Sequence, residues 1–179
     1  MIKKIFTGQR LAILLDLLII LAIALVPFNW LHGDQIITGH DSGAPLIPIQ
    51  HFLDRLYMWT NRWGLSADQT YTVGAFFIHG LEALVSWLGF SLQKTEQINY
   101  VVWFLLPGLT MYYFARSVFP NRRYLPLIAS VLFMLNHFLL QGWFVTERTK
   151  FSTYAAMPLL LLFIFRFFEG RLSVLSAGI

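Results

Sequence analysis

The sequence predicts an all-α fold, namely a polytopic membrane helical bundle with a long outer loop that carries interfacial helices. Of the 179 residues, 57% are hydrophobic and 12% are charged, whereas about 25% of residues are charged in a typical soluble domain. A soluble chain of this length could not bury nearly all of that apolar surface. Long apolar runs, with basic residues distributed unevenly between them, complete the pattern of a multi-span membrane chain.

Four apolar runs are predicted to cross the membrane, because about 20 helical residues span a hydrocarbon core about 30 Å thick. They cover residues 11–30, 97–119, 124–145 and 151–168. The first run follows Lys3, Lys4 and Arg10 and has no small-residue cleavage site after it. We therefore expect a retained helix and not a signal peptide. Residues 1–179 are expected to form the amino-terminal part of a larger membrane domain.

Residues 71–90 form a fifth apolar run, and the basic residues decide its topology. If this run crossed the membrane, the three arginines within residues 116–123 would lie outside, around a very short loop. The positive-inside rule is strongest for short loops, so a non-crossing run is favoured. We expect an interfacial helix there, with Trp87 and Phe90 as anchors.

The resulting topology has a cytoplasmic N-terminus, four spans in the cell membrane and an outer loop at about residues 31–96. In a membrane chain, the basic residues behind the net charge of +4 are informative through their distribution between the two sides of the bilayer. No nucleic-acid partner is expected. The chain has no cysteine, which excludes disulfides and thiolate metal ligands. The lipid bilayer is the partner that composition itself indicates.

The outer loop concentrates the ionisable side chains that could serve a site. They are His32, Asp34, His40, Asp41, His51, Asp54 and Asp68. Apolar stretches separate them, which favours a loop packed on the membrane surface over one extended in water. The pairs His32/Asp34 and His40/Asp41 offer nitrogen and oxygen ligands, but their spacing matches no specific metal signature. Ordinary solvation of a polar loop is the alternative.

Two polar features have structural interpretations. Asp16 lies near the cytoplasmic end of the first run, where an ion pair with Arg116 or Arg166 is expected. His79 and Glu82 lie three residues apart on one predicted helix face. We expect them to form a satisfied polar face that is turned toward the protein.

Two further features belong to the third run and the segment after it. His137, near the middle of the run, is expected to be a hydrogen-bonded packing residue and not a proton relay. Residues 146–150 join the third and fourth runs on the outside. There, Arg148 and Lys150 could hold a lipid phosphate, and ordinary solvated charge is an equally good interpretation.

A set of short motifs carries a family resemblance over a little under half of the chain. They are Gly39-His40-Asp41, Pro48, Phe52-Leu53, Leu56-Tyr57-Met58-Trp59, Trp63-Gly64, Gln69-Thr70-Tyr71 and Gly74-Ala75-Phe76-Phe77. Together with the second predicted span, which follows them in the sequence, these motifs resemble the amino-terminal region of the GT-C membrane glycosyltransferases. The arabinofuranosyltransferase-like proteins of bacterial cell-wall arabinan synthesis are the most similar members.

The resemblance implies transfer of a sugar from a polyprenyl-phosphate donor to a glycan acceptor on the outer face. Asp41 is implied as the general base, with Asp34 as the second candidate. The departing phosphate needs a cation, supplied either by a divalent metal cofactor or by basic side chains. The predicted substrate-binding residues are Arg148, Lys150, Trp59 and Gln69. Trp59 could stack on a sugar face, and anchoring at the membrane interface explains it equally well.

The alternative is a non-enzymatic multi-pass membrane protein, either a transporter fragment or an assembly subunit. Transporters usually bind their substrates near the bilayer midplane, between discontinuous helices. Most carboxylates of this chain are predicted to lie outside the membrane, which favours the glycosyltransferase. Pro107-Gly108 in the second run and Pro158 in the fourth are candidate helix breaks and keep the alternative open.

Overall fold

The computed structural model describes residues 2–33, 35–36, 45–57, 59–60, 67–68, 76–144 and 149–170. Seven α-helices account for most of this part: α1 (Ile2–Ala24), α2 (Pro48–Arg55), α3 (Phe76–Trp87), α4 (Leu92–Val118), α5 (Leu125–Met134), α6 (His137–Phe144) and α7 (Thr149–Phe168). A 3₁₀ turn, Val26–Asn29, follows α1. Two short antiparallel strands, β1 (Trp59–Thr60) and β2 (Ala67–Asp68), pair Trp59 with Asp68. The predicted helical class is confirmed.

Three helical segments in the described residues are long and apolar enough to cross a membrane. They are Gly8–Asn29, Leu92–Val118 and Phe151–Phe168, and they correspond to the first, second and fourth predicted runs. Large apolar side chains remain exposed along them, including Leu14, Leu18 and Leu160. Such surfaces are compatible with lipid and not with water, so the chain associates with membranes.

In the described part of the run at residues 71–90, α3 is a helix of 12 residues. At about 1.5 Å per residue, this length falls well short of a hydrocarbon core about 30 Å thick. Trp87 is 72% exposed and Phe90 is 49% exposed. The predicted helix is therefore present, and its two aromatic anchor candidates are available to an interface.

The third predicted run, residues 124–145, is not one continuous helix, and the prediction of a single helix was wrong. Helix α5 ends at Met134 and α6 begins at His137. The Asn136 side chain donates to the Phe133 carbonyl at 2.8 Å, and the Tyr154 hydroxyl donates to the same carbonyl at 3.0 Å. These bonds satisfy a carbonyl that a continuing helix would use. His137 is exposed at the start of α6, so its predicted packing role was also wrong.

The two candidate helix breaks at proline do not interrupt their helices. Pro107 lies inside α4 and Pro158 inside α7, and both helices continue past them. Beside Pro107, Gly108 lies against α1 and α5. A Cβ atom at this position would approach the Met134 sulfur to 2.4 Å and the Ile20 Cγ2 atom to 2.9 Å. Glycine therefore permits close packing of neighbouring helices here, as small residues do in membrane bundles.

The chain divides into two compact units. The first comprises residues 1–23, 105–136 and 154–179, and the second comprises residues 24–104 and 137–153. The first unit contains the Gly108 packing site and the Asp16 ion pair described next. The second unit contains helices α2 and α3, which lie between the first two membrane-span candidates along the chain.

Asp16 forms the expected buried ion pair, but with a different partner from those predicted. Its side chain is 3% exposed, and Arg123 Nη1 lies 2.7 Å from its Oδ2 atom. Arg123 Nη2 also donates to Oδ1 at 3.2 Å and to the Ala12 carbonyl at 3.2 Å. The Tyr112 hydroxyl donates to Asp16 Oδ2 at 2.8 Å. Arg116, one of the predicted partners, instead donates to that hydroxyl at 3.3 Å.

Replacing Asp16 by alanine is expected to lower the free energy of unfolding by about 2 kcal/mol, because the buried Tyr112 hydroxyl loses its acceptor. Arg123 is 42% exposed and can turn to water, so it adds less to the loss. Denaturation in detergent, followed by circular dichroism, measures the change. The double variant with Tyr112→Phe removes the orphaned donor and should lose less than the sum of the two single changes. A melting curve of Asp16→Ala that overlays the native curve would contradict this account.

Candidate functional site

Helices α2 and α3 pack against each other in the second unit. Helix α2 begins at Pro48, where proline is favoured because its missing N–H costs nothing in the first helical turn. The Phe52 ring lies 5.3 Å from the Phe76 ring, centroid to centroid. A Cβ atom added at Gly80 would contact the Phe52 ring at 3.4 Å. This aromatic contact places His51 of α2 beside His79 of α3.

His51, His79, Glu82 and Asn99 form a polar cluster, here called the histidine–glutamate cluster. Glu82 is 2% exposed. Its Oε2 atom lies 2.9 Å from His79 Nδ1, and its Oε1 atom accepts a hydrogen bond of 2.8 Å from Asn99 Nδ2. Both carboxyl oxygens are thus satisfied and α3 is joined to α4. The prediction of a satisfied polar face at His79 and Glu82 is confirmed.

His51 completes the cluster as a neutral imidazole. Its ring stands edge-on to that of His79, with centroids 4.6 Å apart, and Arg55 Nε donates to His51 Nε2 at 2.8 Å. Burial lowers the pKa of His51 to about 4, assisted by the nearby His79 and Arg55. Since Nε2 accepts a hydrogen bond, the proton of the neutral ring lies on Nδ1.

This depressed pKa predicts acid sensitivity. Below the ordinary histidine pKa of about 6.5, His51 binds a proton in the unfolded chain, whereas in the folded chain it stays neutral until the pH falls to about 4. The contribution of neutral His51 to the free energy of unfolding is therefore fully present above about pH 6.5 and is lost as the pH falls toward 4. Because His51 is only half-buried, we expect a loss of about 1–2 kcal/mol. Thermal melts between pH 7 and 4 measure it, and His51→Gln should flatten the slope; an equal slope in that variant would exclude His51 as the cause.

Two polar atoms on α4 are buried without a hydrogen-bond partner among the described residues, Asn99 Oδ1 and Trp103 Nε1. The two residues are four apart and therefore share one helix face. One atom accepts and the other donates, so together they could receive a polar group such as a hydroxyl. Unsatisfied buried groups are costly, so a polar group bound at this face of α4 would offset that cost.

Gln97 fixes the beginning of the predicted outer loop. Its Nε2 atom donates to the Phe28 carbonyl at 2.9 Å and to the Leu31 carbonyl at 3.1 Å. Lys94 Nζ donates to Gln97 Oε1 at 2.9 Å and lies 4.6 Å from the centroid of the Phe28 ring. The segment that leads toward Asp34 and Asp41 is thus anchored to the first turns of α4. Sequence reasoning missed Gln97, because a lone glutamine at the start of an apolar run carries no motif.

The predicted catalytic and binding residues mostly lie beyond the described part of the chain. Asp41, Asp34, Gln69 and Arg148 are outside the described residues. Trp59 belongs to β1, opposite Asp68, and Lys150 is the second residue of α7; their side chains are not described. Their roles stay predictions.

Among the described residues, no group of three or more histidine, aspartate or glutamate side chains is arranged to hold a metal ion. No family model, curated protein or solved structure matches the chain.

Proposed function

We propose that this chain is the amino-terminal part of an integral membrane glycosyltransferase of the GT-C type. In this proposal it transfers a sugar from a polyprenyl-phosphate donor to a glycan or another acceptor on the outer face of the membrane. The observation that carries the proposal is the helix pair α2–α3, which lies between the first two membrane-span candidates and is too short to cross. An outer loop with surface helices at this position is a feature of the family that the sequence resembles.

The proposed topology has a cytoplasmic N-terminus and an outer segment between α1 and α4. Support comes from Arg123, which follows α4 and contacts Asp16 and the Ala12 carbonyl, both in the first half of the span candidate Gly8–Asn29. The beginning of this span candidate and the end of α4 therefore lie together. Two spans with that arrangement leave the intervening segment, including α3, on the opposite side. The basic residues collect at the inner end, as the positive-inside rule requires.

The proposed chemistry assigns Asp41 as the base that accepts the proton of the acceptor hydroxyl, with Asp34 as the second candidate. Negative charge grows on the departing phosphate and needs a cation. A divalent metal, or Arg148 and Lys150, would supply it. Gln97 supports this assignment indirectly, since it anchors the chain at Leu31, three residues before Asp34 in the sequence.

The test is sugar transfer by the full-length protein in vesicles that contain labelled polyprenyl-phosphate sugars. We expect label to appear on an outer-face glycan acceptor. A parallel reaction with a chelator separates metal-assisted transfer, which stops, from transfer that depends on arginine and lysine, which continues. A folded, reconstituted protein that leaves the label on each polyprenyl donor would overturn the proposal.

A transporter fragment is the second candidate, and the break between α5 and α6 favours it. Transporters use discontinuous helices to expose backbone groups to a substrate. Here, however, the Phe133 carbonyl at the break is occupied by Asn136 and Tyr154, which leaves it poorly suited to bind a solute. Uptake of labelled solutes into the same vesicles, without sugar transfer, would favour this second candidate.

A further inference from the structure

A basic cleft lies in the first unit, at the end of α4. It has a cavity volume of about 50 Å³ and is partly open. Its lining residues are Gln9, Ala12, Ile13, Arg116, Pro120, Arg122, Arg123 and Pro126. This volume is well below the range of about 300–1,000 Å³ for drug-sized ligand sites, so the cleft suits only a small group such as a phosphate.

The cleft carries positive charge that the described residues do not neutralise. Three arginines and no acidic residue line it. Asp16 pairs with Arg123, while Arg116 donates to the uncharged Tyr112 hydroxyl. Arg122 is exposed and has no side-chain hydrogen bond or ion pair within the described residues. Two guanidinium groups are thus available for an anion.

Exposed aromatic surface adjoins this charge. Phe119, which directly follows α4, is 46% exposed. Tyr124 is 70% exposed, and the Arg123 guanidinium lies 5.4 Å from the centroid of its ring. Aromatic and basic side chains beside apolar helix surface are typical of the level of lipid headgroups. A free anion would use the charge alone, whereas a lipid uses both surfaces.

We propose that the cleft binds the phosphate of an anionic phospholipid headgroup, whose acyl chains extend past the exposed Phe119 and Tyr124 side chains. Arginine suits this ligand because its planar guanidinium can donate two parallel hydrogen bonds to phosphate oxygens. Arg122 is the principal phosphate contact, since it is free to turn toward the ligand. Arg116 supports it, and Arg123 remains committed to Asp16.

The test measures binding of phosphatidylglycerol to the full chain in detergent by native mass spectrometry. Arg122→Gln is expected to weaken binding about fivefold, the effect of one basic side chain at a membrane surface. Arg10→Gln is the matched control, because it removes the same charge from an exposed position of α1 that does not line the cleft. It should change binding less than twofold. An unchanged melting temperature confirms that both variants fold.

Three further outcomes would overturn the proposal. Equal losses in Arg122→Gln and Arg10→Gln would show only a general attraction of surface charge. If zwitterionic phosphatidylcholine bound as tightly as phosphatidylglycerol, the negative charge of the headgroup would have no role in binding. Inorganic phosphate that binds as tightly as the lipid would make the cleft a site for a free anion. All of these readouts are independent of sugar transfer.

Discussion

Replacing Asp41 by asparagine in the full-length protein is expected to lower sugar transfer about 10²- to 10⁴-fold, the usual contribution of a general base. An amide cannot take up the proton of the acceptor hydroxyl, whereas it keeps nearly the same size and can still accept a hydrogen bond. The loss should therefore appear in kcat, with KM for the lipid-linked donor little changed. Initial rates of transfer from a labelled polyprenyl-phosphate sugar measure both.

Two further aspartates make this experiment specific. Asp68→Asn removes one carboxylate from the same outer segment, at a residue in β2 that has no proposed catalytic role, and should leave kcat unchanged. Asp34→Asn tests the second candidate. A loss with Asp34→Asn and none with Asp41→Asn would move the base to Asp34. Full activity in both variants would show that neither Asp34 nor Asp41 is the general base.

Replacing Gly108 by valine is expected to cost about 3 kcal/mol of folding free energy, at the upper end for overpacking a core. The first added carbon would already approach the Met134 sulfur to 2.4 Å and Ile20 Cγ2 to 2.9 Å. Valine adds two more methyl groups at the same place. Because methionine is flexible, Gly108→Ala should be milder than Gly108→Val. Unfolding in detergent, followed by circular dichroism, ranks the variants.

Gly8 provides the matched control for this prediction. It lies in α1, and a Cβ atom there would meet no atom within 4 Å, so Gly8→Val tests the substitution without the clash. Combining Gly108→Ala with Met134→Ala should recover part of the stability, because the shortened side chain leaves room. Equal melting temperatures for Gly108→Val and Gly8→Val would show that the close approach is unimportant.

Composition and hydropathy predicted the helices but not their interruptions. Helices α1, α4 and α7 follow from long apolar runs, because a bilayer requires a minimum length of apolar helix. The break after Met134 escaped prediction, since it depends on Asn136 and on Tyr154, which is 18 residues away. Conversely, Pro107 and Pro158 carried the sequence signal of a break, yet their helices continue. A proline in a membrane helix is tolerated where its surroundings satisfy the freed backbone groups.

Polar pairing was predictable over one helical turn and not over longer distances. His79 and Glu82 could be paired because three residues bring them to one helix face. The need of Asp16 for a cation was also evident, since a buried carboxylate is costly without one. That Arg123 is this cation was not evident from the sequence, because the pairing depends on how the loop after α4 returns to α1. The same limit applies to Asn99, which reaches Glu82 from another helix.

The double hydrogen bond of Gln97 has a consequence for how this membrane chain can vary. Leu31 and Gln97 are 66 residues apart in sequence but are joined directly, so the intervening segment leaves and returns at one fixed point. The entropy cost of closing such a loop grows only slowly with its length. Insertions or deletions outside α2 and α3 would therefore leave the exit of α1 and the entry of α4 in register, whereas a change within α3 would also disturb its hydrogen bond from Asn99 of α4 to Glu82.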